Sequence, residues 1–294
     1  MQITEGFMPF GEYQTYYRVA GHINGAKKPL LLLHGGPGST HNYFEVFDCL
    51  AEDGRAVVMY DQLGCGKSSM PDCPELWTAR TWLDEMIALR KHLELESLHI
   101  LGQSWGGMML IMYMCDENPS GVASIILAST LSSAKLWEQE CRRNIRLMPK
   151  EQQAALLDAE QTGDYGNPAY LQAVDEYLER YLLDLSGNPN MPECFSRKKN
   201  FGKQSYECAW GRNEYKPTGT LKDYEYSDKL HAIKSPALIT SGVGDESTPL
   251  QCKLMLDSIP QARWELFAHS QHLSFLQEEG KCRQLLRDWL AEHD

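Results

Sequence analysis

Ser104 stands in the run Gly102-Gln103-Ser104-Trp105-Gly106, after the apolar residues 98–101 and ahead of a second apolar stretch, 105–114. A serine hydroxyl is a poor nucleophile until a base takes its proton, and a Gly-x-Ser-x-Gly turn between a strand and a helix is the strained elbow that exposes such a serine. The same position also suits a serine that only caps the following helix. A second run, His34-Gly35-Gly36-Pro37-Gly38, follows four leucines. That is where a loop could lend one backbone N–H to an oxyanion hole, with the Trp105 N–H as its partner. Such a donor is worth about 3 kcal/mol in the transition state. An acid is expected at a later strand end, and Asp245, with Glu246 as its nearest rival, follows the apolar run 237–242. A base is expected later still, where His269 and His272 both occur. The chain order serine, acid, histidine holds for either histidine. His22, His41, His92, His99, His231 and His293 read as ordinary packed or surface residues.

Positioning these groups calls for buried strands that end at them. Short apolar runs bounded by turn residues occur at 30–33, 56–60, 97–101, 124–127, 237–241 and 264–267. Runs of this kind suit a mostly parallel sheet covered on both faces. Helical spacing over 81–93 and 105–114 alternates with them, which makes the fold class α/β. Alternation over 12–20 predicts an antiparallel edge hairpin. From 131 to 222 the strands stop, and Tyr170, Leu171, Val174, Tyr177, Leu178, Tyr181 and Leu182 recur at helical spacing. We therefore expect a core formed by 1–130 and 223–294, with a helical cap, 131–222, inserted in it. The stretch 186–192, Ser-Gly-Asn-Pro-Asn-Met-Pro, interrupts the insert with loop chemistry, and 215–219 predicts a turn near the return to the core.

The 294 residues suit one large domain carrying an insertion. A net charge of −12 argues against a surface that tracks phosphates, so no nucleic-acid partner is expected, whereas a cationic small substrate is favoured. Nine cysteines form no CxxC pair and no zinc-like cluster, and an odd number cannot be fully paired within one chain. Reduced thiols in a cytoplasmic protein are the expectation. No basic region followed by an apolar run opens the chain, and no stretch approaches the roughly 20 apolar residues of a membrane span.

Together these residues resemble the proline iminopeptidases and their relatives, including the tricorn-interacting aminopeptidase and amino-acid amidases. The resemblance rests on His34 to Gly38, on Tyr60-Asp61-Gln62-Leu63-Gly64-Cys65-Gly66-Lys67-Ser68, on the serine elbow, on Gly244-Asp245-Glu246 with Thr248-Pro249, and on His272-Leu273. Asn213-Glu214 and 218–223 resemble the family's passage from cap to core. The resemblance implies the α/β-hydrolase fold, with Ser104 as nucleophile, Asp245 as orienting acid, and His272 rather than His269 as base. It also implies Gly36 and Trp105 as the oxyanion hole, and Glu214 and Glu246 as the pair that holds a substrate's free α-ammonium group. An amino terminus, with a pKa of about 7.7 to 8.0, is largely protonated at neutral pH, which suits such a pair. Trp105, Trp137, Tyr206 and Trp210 are candidates for the side-chain pocket.

The implied function is a serine aminopeptidase that releases one N-terminal residue, proline or another small apolar one, from short peptides through an acyl-enzyme, without metal or organic cofactor. An amidase or esterase acting on amino-acid derivatives is the alternative, because one fold and triad host many substrates. A catalytically dead binding module would lack a triad member, and all three members are present.

Overall fold

The computed structural model describes residues 1–184 and 191–294; of the loop expected at 186–192, residues 186–190 lie outside the described residues. Two N-terminal strands, β1 (Ile3–Phe10) and β2 (Tyr13–Ala20), form an antiparallel hairpin. β3 (Leu30–Leu33) and β4 (Val57–Tyr60) follow, then α1 (Ala79–His92), whose first turn is capped by the Thr78 hydroxyl accepting the Thr81 N–H. β5 (Leu98–Gln103) leads directly through Ser104 into α2 (Trp105–Met112), and β6 (Val122–Ala128) closes this half. Helical structure continues past α2 only as a π turn, Tyr113–Glu117.

Between β6 and the next strand, the described residues hold α3 (Ala134–Ile145), α4 (Lys150–Thr162), α5 (Pro168–Tyr181), α6 (Glu193–Ser196) and α7 (Lys203–Ala209). The chain then forms β7 (Ala237–Gly242), α8 (Pro249–Ser258), β8 (Ala262–Phe267), α9 (Ser274–Gln277) and α10 (Glu279–Glu292). The eight strands lie in the order β1-β2-β4-β3-β5-β6-β7-β8. β2 is antiparallel to β4, and all pairs from β4 to β8 are parallel. The hairpin expected within 12–20 is formed instead by β1 with β2: residues 13–20 make a single strand, and the outer strand β1 exposes Ile3 and Phe7. Among the described residues no helix is long and apolar enough to cross a membrane.

Alternation along the central strands sends side chains to two apolar layers. Leu31 and Leu33 join Trp82, Met108 and Met255 on one face, while Leu30 and Leu32 join Phe44, Phe47 and Leu286 on the other. Both faces being covered is what makes the strands read as unbroken apolar runs. In α5 the buried residues are Tyr170, Ala173 and Tyr177, one face at helical spacing; Leu171, expected to belong to it, is exposed.

One buried acid under this sheet has a measurable consequence. Glu85 of α1 accepts from the Thr15 hydroxyl and the Leu63 N–H, and burial pushes its pKa from 4.5 up to about 8. The folded protein thus holds this proton more tightly than the unfolded chain does. The resulting stability is complete below the ordinary carboxyl value and is lost as the pH rises through about 8. Glutamine can replace the neutral acid, accepting from Leu63 and donating to Thr15. Thermal melts of the parent protein and Glu85→Gln are therefore expected to diverge between pH 5 and pH 9, the variant gaining on the order of a few kcal/mol relative to the parent. A constant difference in Tm across that range would show Glu85 to be ionised throughout.

Candidate active site

Ser104 has φ 54° and ψ −122°, a positive-φ conformation rare for a residue with a side chain. Its surroundings hold it there. The Ser104 N–H donates to the Ala128 carbonyl at the end of β6, and the Ser104 carbonyl accepts from the Thr130 hydroxyl. A Cβ at Gly106 would lie 2.0 Å from the Leu33 carbonyl oxygen, and one at Gly107 would lie 2.4 Å from the Thr130 hydroxyl. The glycines of the elbow are therefore dictated by close packing of α2 on the strand ends.

The loop after β3 is tied to this elbow by two side chains. The Tyr43 hydroxyl accepts the Gly35 N–H at 2.6 Å and donates to Gln103 Oε1 at 2.9 Å. Gln62, from the turn after β4, donates its Nε2 to the His34 carbonyl at 2.9 Å and accepts the Trp105 indole N–H at 2.8 Å. His34 Nε2 accepts the Gln62 backbone N–H, so the ring proton sits on Nδ1 and donates to the Gly35 carbonyl. Burial holds this imidazole neutral by lowering its pKa to about 4. Gly36, at φ 112°, and the first residue of α2, Trp105, are thus fixed relative to one another through Gln62 and Tyr43. Cys65 lies 3.5 Å from His34 Nε2 within the same buried support, and the Lys67 N–H donates to Asp61.

At the far strand end, Asp245 Oδ1 accepts from His272 Nδ1 at 2.7 Å and from the Ser247 N–H at 2.8 Å. The His272 N–H donates to the Leu182 carbonyl, and the Trp137 ring meets the imidazole edge to face at 6.1 Å. With Nδ1 occupied by Asp245, Nε2 is the nitrogen left for proton transfer. His269 is exposed and only its backbone N–H is engaged, by Glu278. Spatial placement therefore separates two histidines whose spacing in the chain left both open.

Ser104 and His272 line one cavity of about 320 Å³, with Gly36, Tyr206 and Glu214 also in its walls. The Tyr206 hydroxyl donates to Glu214 Oε2 at 2.7 Å. Glu246 is completely buried behind this wall, its Oε1 4.0 Å from His272 Nδ1, and neither of its carboxylate oxygens has a hydrogen-bond partner among the described residues. Loss of water raises the pKa of both acids, and the charges of Glu214 and Asp245 raise that of Glu246 further. Among the described residues no lysine or arginine pairs with either one.

Trp137 and Trp210, expected to line a side-chain pocket, stand elsewhere. Both indole N–H groups donate to the Glu214 backbone carbonyl at 3.0 Å, and neither ring belongs to the cavity wall. An indole N–H must be paired when buried, and here one backbone carbonyl, that of Glu214, accepts both. Trp105 likewise packs edge to face on Trp82. Tyr206 is the one aromatic of the four that lines the cavity. The apolar wall is instead supplied by Leu178, Leu182, Phe195 and Phe201, which carried no distinguishing signal in the sequence because apolar residues of a helical insert ordinarily read as core. Behind Glu214, Glu160 accepts both Arg142, on α3, and Lys216, so the returning chain is pinned to α3 and α4. Among the described residues no group of three His, Cys, Asp or Glu side chains is arranged to hold a metal ion.

Residues 28–279 match the family model described as alpha/beta hydrolase fold. Over its full length the chain is 52% identical to the proline iminopeptidase of Clostridium botulinum, covering all of that protein. It is 53% identical to the proline iminopeptidase of Lactobacillus helveticus, again over the whole of both chains. Among solved structures it superposes on VinJ with a TM-score of 0.92 and 33% identity, covering 99% of each chain. The proline iminopeptidase of Mycobacterium smegmatis gives a TM-score of 0.87 at 32% identity, covering 99% of this chain and 98% of that one. A full-length likeness of this degree, on a fold that sets Ser104, Asp245 and His272 in the turns that follow β5, β7 and β8, places the chain in the proline iminopeptidase family, serine aminopeptidases of the α/β-hydrolase fold.

Proposed function

We propose that this chain releases proline from the free amino terminus of short peptides, with Ser104 as nucleophile, His272 as base, Asp245 as its orienting partner, and Glu214 and Glu246 as the anchor of the substrate's α-ammonium group. The observation that carries this reading is the pair of enclosed carboxylates, with no lysine or arginine paired to either among the described residues, beside a cavity that also holds Ser104 and His272. Two like charges held together away from water favour a bound cation. The names of the full-length relatives support proline as the residue released.

In the mechanism, His272 Nε2 takes the Ser104 proton as Oγ attacks the carbonyl carbon of the first peptide bond. The oxyanion is met by the Gly36 and Trp105 N–H groups; the neighbouring Gly35 N–H is already committed to Tyr43. The C–N bond then breaks, and His272 returns its proton to the departing amine. Water, deprotonated by His272, opens the ester and frees the amino acid. Asp245 holds Nδ1 and stabilises the imidazolium that forms in each half. The anchor sets the register, because an ammonium held by Glu214 and Glu246 leaves only the first carbonyl at Ser104.

Residues 131–222 act, on this reading, as a cap that supplies Tyr206, Glu214 and the apolar wall to a core made of 1–130 and 223–294. Nine free thiols support a reducing, cytoplasmic setting. Turnover of prolyl, alanyl and leucyl p-nitroanilides, each free and N-acetylated, tests the central claim. Free prolyl substrate is expected to react best, and acetylation to lower kcat/KM by at least about a hundredfold, as expected for loss of a buried charge pair. Equal rates on free and blocked substrates would remove the exopeptidase reading.

A further inference from the structure

Lys199 is the one lysine in the cavity wall among the described residues, facing a space whose only lining carboxylate is Glu214. It follows α6 and is half-buried, with its Nζ 4.9 Å from the centre of the Phe195 ring and 3.0 Å from the Phe195 carbonyl, to which it donates. No carboxylate lies within ion-pair distance of it among the described residues. The acids nearby are engaged elsewhere: Glu45 and Glu193 both pair with Arg197, two residues earlier. Burial lowers the Lys199 pKa, chiefly through loss of water, a cost that an anion brought into the cavity would offset. In a chain of net charge −12, a partly desolvated ammonium without an ion-pair partner among the described residues, on a residue that lines the reaction cavity, marks a place for an anion.

We propose that Lys199 binds the C-terminal carboxylate of the substrate, so that the enzyme reads both ends of a peptide of two or three residues. This rests on the assignment of Glu214 and Glu246 as the ammonium anchor. The carboxylates attract the positive end and Lys199 the negative end of the same zwitterion, with the scissile bond between them at Ser104. A peptide of two or three residues spans at most about 7 to 11 Å, and a cavity of about 320 Å³ stands at the small end of ligand sites. The flexible four-carbon stem lets Nζ leave the Phe195 carbonyl for a carboxylate without moving the backbone. The products would be free proline and an amino acid or dipeptide, so the reaction class that supplies the substrate is endoproteolytic or tripeptide-releasing cleavage that leaves a free carboxylate.

The test compares Pro-Gly and Pro-Gly-Gly with their C-terminal amides, in the parent protein and in Lys199→Met, which keeps most of the apolar stem. The parent protein is expected to show a KM roughly ten- to a hundredfold lower for the free acids than for the amides, a gap that narrows with salt. Lys199→Met is expected to erase that gap while leaving kcat/KM on prolyl p-nitroanilide, which carries no carboxylate, unchanged. Equal KM values for acid and amide in the parent protein overturn the proposal. So does a variant that loses activity equally on acids, amides and the nitroanilide, since Lys199 would then only support the fold. Failure of the ammonium anchor is read separately, from N-acetyl-Pro-Gly being cleaved as fast as Pro-Gly.

Discussion

Ser104→Ala is expected to lower kcat on prolyl p-nitroanilide by about a millionfold, with an unchanged circular dichroism spectrum and Tm. The residue gives up only its hydroxyl. Its backbone is held by the Ala128 and Thr130 contacts and by the glycine packing around it, none of which involves Oγ. His272→Ala is expected to cost about as much, and the double variant no more than either single one, because nucleophile and base act as a unit. Asp245→Asn is expected to cost about 10⁴-fold, since a neutral amide at the Oδ1 position no longer favours the Nδ1–H tautomer or the imidazolium. Single-turnover measurements with purified variants check the series. Additive losses for Ser104→Ala and His272→Ala would mean that the two side chains do not share one step.

Glu214→Ala and Glu246→Gln carry the second large effect, and in Glu246→Gln stability and activity move in opposite directions. Each is expected to lower kcat/KM on free aminoacyl substrates by roughly 30- to several-thousandfold, the worth of about 2 to 5 kcal/mol for a buried charge pair, while a simple uncharged ester reacts at close to parental rate. In the free protein, however, Glu246 is fully buried, its oxygens have no hydrogen-bond partner among the described residues, and two other acids raise its pKa further. A carboxyl whose folded pKa is raised lends stability below the ordinary carboxyl range and loses it as the pH rises through the folded value. Glu246→Gln removes that loss, so its Tm is expected to exceed the parental value increasingly toward neutral and alkaline pH. An ammonium ion needs the ionised pair, so substrate binding must expel any proton held there. The parental kcat/KM should therefore decline on the acid side at a higher pH than an ordinary carboxylate pair would give. Equal loss of ester and aminopeptidase activity in Glu214→Ala would show that the residue supports the site without holding the amino terminus.

The elements that end at chemistry were legible in the chain because each combines a strong local pattern with an interruption. Leu30–Leu33 runs into glycines, 98–101 runs into the elbow, and 237–242 runs into Gly244-Asp245. Buried parallel strands must be apolar throughout, and tight turns at their ends must be glycine, so both signals lie in neighbouring residues. β1 escaped notice because its apolar residues, Ile3, Phe7, Met8 and Phe10, keep neither an unbroken run nor a strict alternation. Residues of the insert were placed less well. Trp137 and Trp210 carried the size and ring expected of a pocket wall, yet which way an indole faces depends on where its N–H finds an acceptor, here the Glu214 carbonyl.

By itself, the sequence determined the α/β alternation, the order of serine, acid and histidine, and, through family resemblance, the two glutamates. Local periodicity, glycine placement and motif spacing are properties of residues near one another in the chain. The tertiary structure alone decided that Glu246 stands behind the cavity wall and Glu214 within it, and that Lys199 lines the same space without an ion-pair partner among the described residues; it also set His272, which the resemblance had already favoured, against Asp245. Those facts depend on water being excluded by segments far apart in the chain. Burial, and the shift in charge preference that follows from it, has no signature in the spacing of the residues it acts on.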